Sequence, residues 1–246
     1  MVQCIGLIIA ALQKSVTSED QDMEQSTRMV NQLIELLYER LYDINSFTRS
    51  MVCKTLAHLV EIHAIPLERY NALMELAYDR LNDKTAVVRK STLQLLTQLI
   101  DFNPFSPHLN MGYYDERRKE LDDGLMNHKN QLFEWFKLNG PLEEREVLIE
   151  KSIDEQFDYF LTRPVYMDNE DIKQLLNQID MVDQGIQFIT LCHKTVLKIV
   201  TLLKSKTNTD VLESLDFLTR AINFSVTDSA KTFQKSAIQL FFHFID

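Results

Sequence analysis

Two pairs of opposite charge stand at one spacing in this chain. Asp43 precedes Arg49 by six residues, and Asp83 precedes Arg89 by the same six. A carboxylate beside a guanidinium is equipment for a catalytic base with an electrostatic partner. It is also equipment for a helix start, where an aspartate accepts hydrogen bonds from free backbone N–H groups and faces the positive end of the helix dipole. The recurrence favours the structural use, because a single active site has no reason to appear twice. Asp43, Arg49, Asp83 and Arg89 are therefore taken as repeat positions whose side chains meet between neighbouring units along one line.

Other groups with chemical potential are scattered. His58 and His63 are five residues apart, a poor spacing for one metal on one helix face, and the six histidines read as surface or edge residues. Glu143, Glu144 and Glu146 read as a solvated face or a helix start. Cys4, Cys53 and Cys192 lie far apart and form neither a zinc spacing nor a disulfide framework, which fits a reducing compartment. No phosphate-binding glycine loop, nucleophile elbow or zinc-protease motif occurs, and five glycines are too few to build the usual cradles. No catalytic residue, cofactor or metal is expected. The one basic stripe is Lys194, Lys198, Lys204 and Lys206, which reads as a solvated outer face or as a contact to phosphate or an acidic partner.

The elements that must position these residues are helices. The chain has 246 residues, 45% hydrophobic, with only 5 Gly and 5 Pro, too few turn residues for a sheet protein. Its net charge of −10 disfavours a protein that grips nucleic acid unaided. The longest apolar run, Cys4 to Leu12, is about half the length of a membrane span and is expected to be a buried first helix within residues 1–16.

Shifted by forty residues, the sequence matches itself. Identical pairs include Asn31/Asn71, Leu33/Leu73, Tyr38/Tyr78, Arg40/Arg80, Leu41/Leu81, Asp43/Asp83, Arg49/Arg89, Leu56/Leu96 and Leu59/Leu99. A period near forty made of two helices is the mark of a HEAT or armadillo solenoid, an all-α superhelical array of antiparallel helix pairs. Within the second unit, Pro66 suits a first helical turn, and Tyr70, Leu73, Ala77 and Leu81 share a face. Asn82-Asp83 breaks the pattern, and Val88, Thr92, Leu95, Leu96 and Leu99 form the next inner face. The first unit repeats this with Phe47, Met51, Thr55, Leu56 and Leu59.

Residues 1–106 are thus expected to be repeats, with clear units at about 29–61 and 67–102. Residues 107–182 read as a charged, partly helical insertion, broken at Asn139-Gly140-Pro141 and followed by a charged helix to about Leu161. It is either a set of solvated helices or a protruding partner-binding element carrying Phe133, Trp135 and Phe136. Repeats resume over 183–246. There Ile186, Ile189, His193, Val196, Leu197 and Val200 form a stripe, and Asp210 with Glu213 resembles a helix-starting capping box. A last helix is expected from about Asp228 to Phe244. The apolar FFHFID ending carries no polar cap, so the chain is expected to be a piece of a longer array.

Residues 63–106, HAIPLERYNALMELAYDRLNDKTAVVRKSTLQLLTQLIDFNPFS, carry marks beyond the period. These are the IPL entry, the A-x-x-RLNDK turn, the run VRKSTLQLLTQLI and the NPFS exit. With DINSFTRSMVCKTLAHLVE at 43–61 and the helix pair at 185–230, they resemble the condensin complex subunit 1 family, the HEAT-repeat subunits of condensin I. The likeness covers about half of the chain. KTFQKSAIQLFFHF departs from it, because the family has a glycine-rich, double-arginine helix there, and the family's chains are several times longer.

The resemblance implies a non-enzymatic scaffold that binds the kleisin subunit and works with the SMC ATPase pair in mitotic chromosome condensation. It implies residence in the nucleus and on chromosomes with a cytoplasmic pool, and contact with DNA through the complex. No membrane and no small-molecule substrate are implied. Other HEAT scaffolds, such as nuclear transport receptors and phosphatase scaffolds, share the forty-residue grammar without the NPFS exit. A helical enzyme would need a pocket of convergent polar groups, and the sequence offers none.

Overall fold

The computed structural model describes residues 1–15, 20–105, 108–161 and 170–226. Among these the protein is all-helical. It divides into two compact units, one of Met1–Met111 with Gln187–Asp246 and the other of Gly112–Ile186. The expected helix at 228–244 and the FFHFID ending lie outside the described residues, as does most of the TRPVYMDNED segment.

The first unit contains α1 (Val2–Ser15), α2 (Asp20–Arg40), α3 (Ser46–Glu61), a 3-10 turn (Leu67–Arg69), α4 (Tyr70–Arg80) and α5 (Ala86–Asp101). The end of α9 (Glu170–Leu202) and α10 (Asn208–Asn223) complete it. Local chemistry sets the boundaries. Asn45 takes an extended backbone and its side chain accepts the Phe47 N–H, capping α3. Pro66, locked near φ −59°, leads into the 3-10 turn ahead of α4. At the end of α3, His63 adopts a left-handed φ of 54°. Its N–H bonds the Val60 carbonyl, and the Ala64 N–H bonds the Leu59 carbonyl, a Schellman closure. Ser225 (φ 58°) closes α10 in the same way through Ile222 and Ala221.

In this unit α1 packs on α3, α3 on α5 and α5 on α10, while α2 lies against α1 and α3 and α4 lies against α5. The core is the set of facing stripes. Ile34, Leu37 and Leu41 come from α2 and its end, Leu56 and Leu59 from α3, Leu73 and Ala77 from α4, and Val88, Leu96 and Leu99 from α5, all with no more than 1% exposure. Each leucine withdrawn from water contributes about 2 kcal/mol. The inner faces expected around Tyr70 and Val88 are the buried ones.

Two stripe assignments are corrected. Phe47 is 78% exposed and its repeat partner Val87 is 51% exposed. Both lie one residue, about 100° of helix, before the inward-facing position that Val88 holds in α5. Leu197 is 62% exposed, and the buried face of α9 in this unit runs instead through Phe188, Ile189, Cys192, Thr195, Val196 and Ile199. The first helix is also two-faced: Ile9 is buried, whereas Leu7 and Ile8 are exposed.

The second unit contains α6 (Met111–Asn139), α7 (Leu142–Ile149), α8 (Ile153–Leu161) and the start of α9. The single charged helix expected up to Leu161 is two helices. The first ends at Ile149 and Ser152 caps the second: its Oγ accepts the Glu155 N–H, and a Glu155 carboxylate oxygen accepts the Ser152 N–H. This S-x-x-E capping box is legible in the sequence as Ser152-Ile153-Asp154-Glu155. Phe136, Leu148 and Phe160 form the core of this unit with Leu132 and Tyr159 packed against them. The Phe136 and Phe160 rings meet edge to face at 5.1 Å. Gly140 touches the Phe136 ring so closely that an added Cβ would stand 2.7 Å from it. Of the aromatic trio proposed as a protruding element, Phe136 is therefore core, while Trp135 is half-exposed.

The helix that carries the resumed pattern begins at Glu170 rather than Asp183. By length and composition its span Ile172–Leu202 is apolar enough to cross a membrane, a test that core helices also pass.

Candidate functional site

The recurring charges form bonds between helix pairs. Arg49 on α3 donates from Nε to Asp83 Oδ2 at 2.8 Å and from Nη2 to Asp83 Oδ1 at 2.9 Å, a two-pronged fork. Its remaining nitrogen, Nη1, binds the Asp43 and Ile44 carbonyls of its own turn. Arg89 on α5 repeats the posture. Its Nη1 binds the Asp83 and Lys84 carbonyls, and its other two donors reach the next unit, where they meet Asp210 at 3.1 and 2.7 Å. The side chains of Asp83 and Asp210 are 4% and 1% exposed, so both carboxylates depend on these partners.

Asp83 does two jobs. Besides receiving Arg49, its Oδ1 accepts the Thr85 N–H and fixes the turn before α5. Burial pushes its carboxyl up, but the hydrogen bonds from Arg49 and Thr85 and the charges of Arg49 and Arg80 outweigh that and hold it below the usual carboxylate range. Asp43 holds the same local position and accepts the Asn45 N–H, but the guanidinium bonded to its carboxylate is that of Arg40, three residues before it.

At the start of α10 the two jobs belong to two residues. Ser205, two residues before the helix cap as Asp43 and Asp83 are, accepts the Thr207 N–H. The charge comes from Asp210, three residues inside the cap, whose Oδ2 also accepts the Ser205 hydroxyl. Asp210 is thus not a helix cap: Thr207 occupies that place. Glu213 does not close a capping box either, because its carboxylate receives Gln94 at 3.0 Å and lies 3.6 Å from Lys90, both on α5.

The repeated asparagines Asn31 and Asn71 also carry links, of different kinds. Arg69 donates to Asn31 Oδ1 at 3.1 Å, and Asn71, the repeat partner of Asn31, donates to Gln187 at 3.2 Å. The Asn31/Asn71 identity was the available signal. A polar seam also crosses α3 and α5, through Ser50–Ser91 at 2.7 Å and Cys53–Thr92 at 3.5 Å. Burial pushes the Cys53 thiol up to about 11 and raises Cys192 further, so neither is a poised thiolate.

The lysines of the basic stripe have different surroundings. Lys194 lies over the Tyr78 ring at 4.3 Å, Lys198 is half-buried, and Lys204 and Lys206 are exposed on either side of Ser205. His63 closes α3 and packs edge-on against Phe102. His58 lies 3.4 Å from Glu61. Among the described residues, no three His, Cys, Asp or Glu side chains converge as metal ligands.

Among the described residues, hollows open on the face of the first unit built by α1, α3, α5 and α10. One of about 520 Å³ lies between α1 and α3, lined by Gly6, Leu7, Met51, Thr55 and Leu59. A second, about 380 Å³, lies between α3, α5 and α10, with Glu61, Gln94, Glu213 and Asp216 on its walls. A third, about 300 Å³, carries Val87, Lys90 and Thr209. Lys54 lines all three.

No protein-family model matches the chain, and no curated protein matches it. Among solved structures, the crystal structure of an engineered protein from a structural genomics consortium aligns over 94% of this chain and 88% of its own, at 13% identity and a TM-score of 0.30. That score is too low for a shared fold to follow.

Proposed function

We propose that the first unit is a stretch of HEAT-type α-solenoid and that the protein is a non-catalytic scaffold of the condensin kind. It would bind the kleisin subunit, work with the SMC ATPase pair on nuclear chromosomes and contact DNA through that complex. The observation that carries the solenoid reading is the repeated arginine posture. Arg49 and Arg89, forty residues apart, each clamp their own turn and reach a carboxylate of the next unit. A bond that passes from each unit to the next is what an array of like units needs.

The non-catalytic reading is favoured by where the charges go. The aspartates and arginines that could do chemistry are engaged in joining helices. The condensin reading rests on the sequence marks around Ile65-Pro66-Leu67 and Asn103-Pro104-Phe105-Ser106. The experiment is to tag the protein that carries this sequence, purify it from mitotic cells and identify what it holds by mass spectrometry. Recovery of an SMC pair with a kleisin supports the reading. Recovery of transport cargo or a phosphatase assigns it to another HEAT scaffold, and recovery of nothing stable leaves the condensin assignment without support.

A further inference from the structure

We propose that Thr209 is a phosphorylation site and that the hollow it borders, lined by Lys54 and Lys90, receives the phosphate it would carry. The inference concerns the joint between α5 and α10 and is independent of which partner the scaffold holds.

Thr209 stands in the first turn of α10 with an exposed side chain, and its hydroxyl makes no hydrogen bond among the described residues. Thr207, which precedes the helix, gives it no side-chain cap, so the turn opens readily for an enzyme that must bind it extended. Lys204 and Lys206 lie five and three residues before Thr209, both exposed and outside a helix. Cations at those places are what the acidic cleft of a basophilic protein kinase reads. Ser205, between the two lysines, is half-buried and gives its hydroxyl proton to Asp210, and Thr207 is half-buried and does not line the hollow.

The step is a phosphoryl transfer. Thr209 Oγ1 forms a bond to the γ-phosphorus of ATP as the bond from that phosphorus to the ADP oxygen breaks. The hydroxyl proton passes to the kinase's catalytic carboxylate, and ADP leaves.

The product has a place to go. Thr209 is itself a wall of the hollow of about 300 Å³ that also carries Lys54, Lys90, Ser91 and Gln94, and no carboxylate lines it. Lys54 is exposed and has neither a hydrogen bond nor an ion pair among the described residues. Lys90 lies 3.6 Å from Glu213, beyond hydrogen-bond reach, and Gln94 already supplies that carboxylate at 3.0 Å. Asp210, next to Thr209, is held by Arg89, so its charge is met elsewhere. A phosphate brings about two negative charges at neutral pH, and the two amines stand ready to take them. Lys54 belongs to α3 and Lys90 to α5, so the phosphate ties three helices where Arg89 ties two.

The test uses the whole chain. It is incubated with the catalytic domain of a basophilic kinase and ATP, and the modified residues are located by tandem mass spectrometry. Phosphate on Thr209 is expected, at a rate cut about tenfold by Lys204→Ala/Lys206→Ala. A chain made with phosphothreonine at 209 is then unfolded in urea. Its midpoint is expected about 0.5 M above that of the unmodified chain; Lys54→Gln/Lys90→Gln abolishes the rise, and Lys54→Arg/Lys90→Arg keeps it. Each modified chain is compared with its own unmodified form, so a general loss of stability in a variant cancels. Absence of phosphate on Thr209, a midpoint that phosphate leaves unchanged or lowers, or a rise that survives loss of both amines overturns the proposal.

Discussion

The joint between α3 and α5 and the joint between α5 and α10 solve one problem with different residues. In each, an arginine four residues after the helix cap binds its own turn and crosses to a buried carboxylate. In the first joint the carboxylate sits in the turn and uses both oxygens, one for each prong of the guanidinium. In the second it comes from inside α10. Both arginine donors and the Ser205 hydroxyl converge on Oδ2, while Oδ1 is buried with no hydrogen-bond partner among the described residues. The geometry that is held constant is the arginine and its destination. The position that supplies the negative charge is exchangeable, and the exchange gathers three donors on one oxygen in the second joint where the first uses both.

The strongest way to break the comparison is to remove the arginines. Arg49→Ala takes from Asp83 its hydrogen-bonded guanidinium and leaves Arg80 at 3.8 Å, while Arg89→Ala strands the buried carboxylate of Asp210. The expected loss is about 3 kcal/mol in each case, somewhat larger for Arg89, whose partner is the more buried. Urea unfolding of the two variants checks this. Equal losses below about 0.5 kcal/mol would mean that the pairs are ornaments of the surface.

The comparison sharpens when the charge is moved. Asp210→Ala should cost about 2 kcal/mol by leaving Arg89 without its carboxylate. Adding Ser205→Asp to that variant places the carboxylate where the first joint has it, two residues before the cap. The double variant is expected to regain about 1 kcal/mol or more in urea midpoint relative to Asp210→Ala. Ser205→Asp alone sets two carboxylates together and should destabilise. A double variant no better than Asp210→Ala would show that the two joints are not equivalent in geometry.

Acid gives a gentler probe. The folded state holds the Asp83 carboxyl below its ordinary value, with burial opposing and Arg49, Thr85 and Arg80 prevailing. A depressed carboxylate adds stability above its unfolded value and loses it as pH falls through the folded one. Urea midpoints should therefore fall below about pH 4, and Asp83→Asn, weaker at neutral pH, should fall less steeply over the same range.

Much of this was legible. The forty-residue identity located α2 to α5, and helical spacing named Tyr70, Leu73, Ala77, Val88 and Leu96 as buried. It also singled out Asp83 and Arg49, but spacing alone could not say that Arg49 spends one nitrogen on its own turn and two on its neighbour. That division depends on how far α3 stands from α5. Asp210 escaped because it occupies a different place relative to its helix start, so no identity at the period marks it. A capping box was the locally satisfying reading, but it ignored the competing donors on α5. Phe47 misled for the opposite reason: it matched Val87 in type and position, yet both lie in a first turn and face outward.

Ser205 supplies the smallest and most selective test. Its hydroxyl oxygen accepts the Thr207 N–H at 3.2 Å, and its proton goes to Asp210 at 2.8 Å. In the first joint Asp83 holds the equivalent turn by itself, with its oxygen 2.9 Å from the Thr85 nitrogen. Ser205→Ala therefore removes the turn bond from the second joint and leaves the arginine bond in place, whereas no single change does so in the first. The expected cost is about 1 kcal/mol, the value of a partly exposed hydrogen bond to a charged group, read as a small drop in urea midpoint. Amide exchange should localise it: Thr207 and the first turn of α10 should exchange faster, while Thr85 and the first turn of α5 stay unchanged. Faster exchange at both turns would mean that the joints unfold as one, and the division of labour between Ser205 and Asp210 would have no separate energetic meaning.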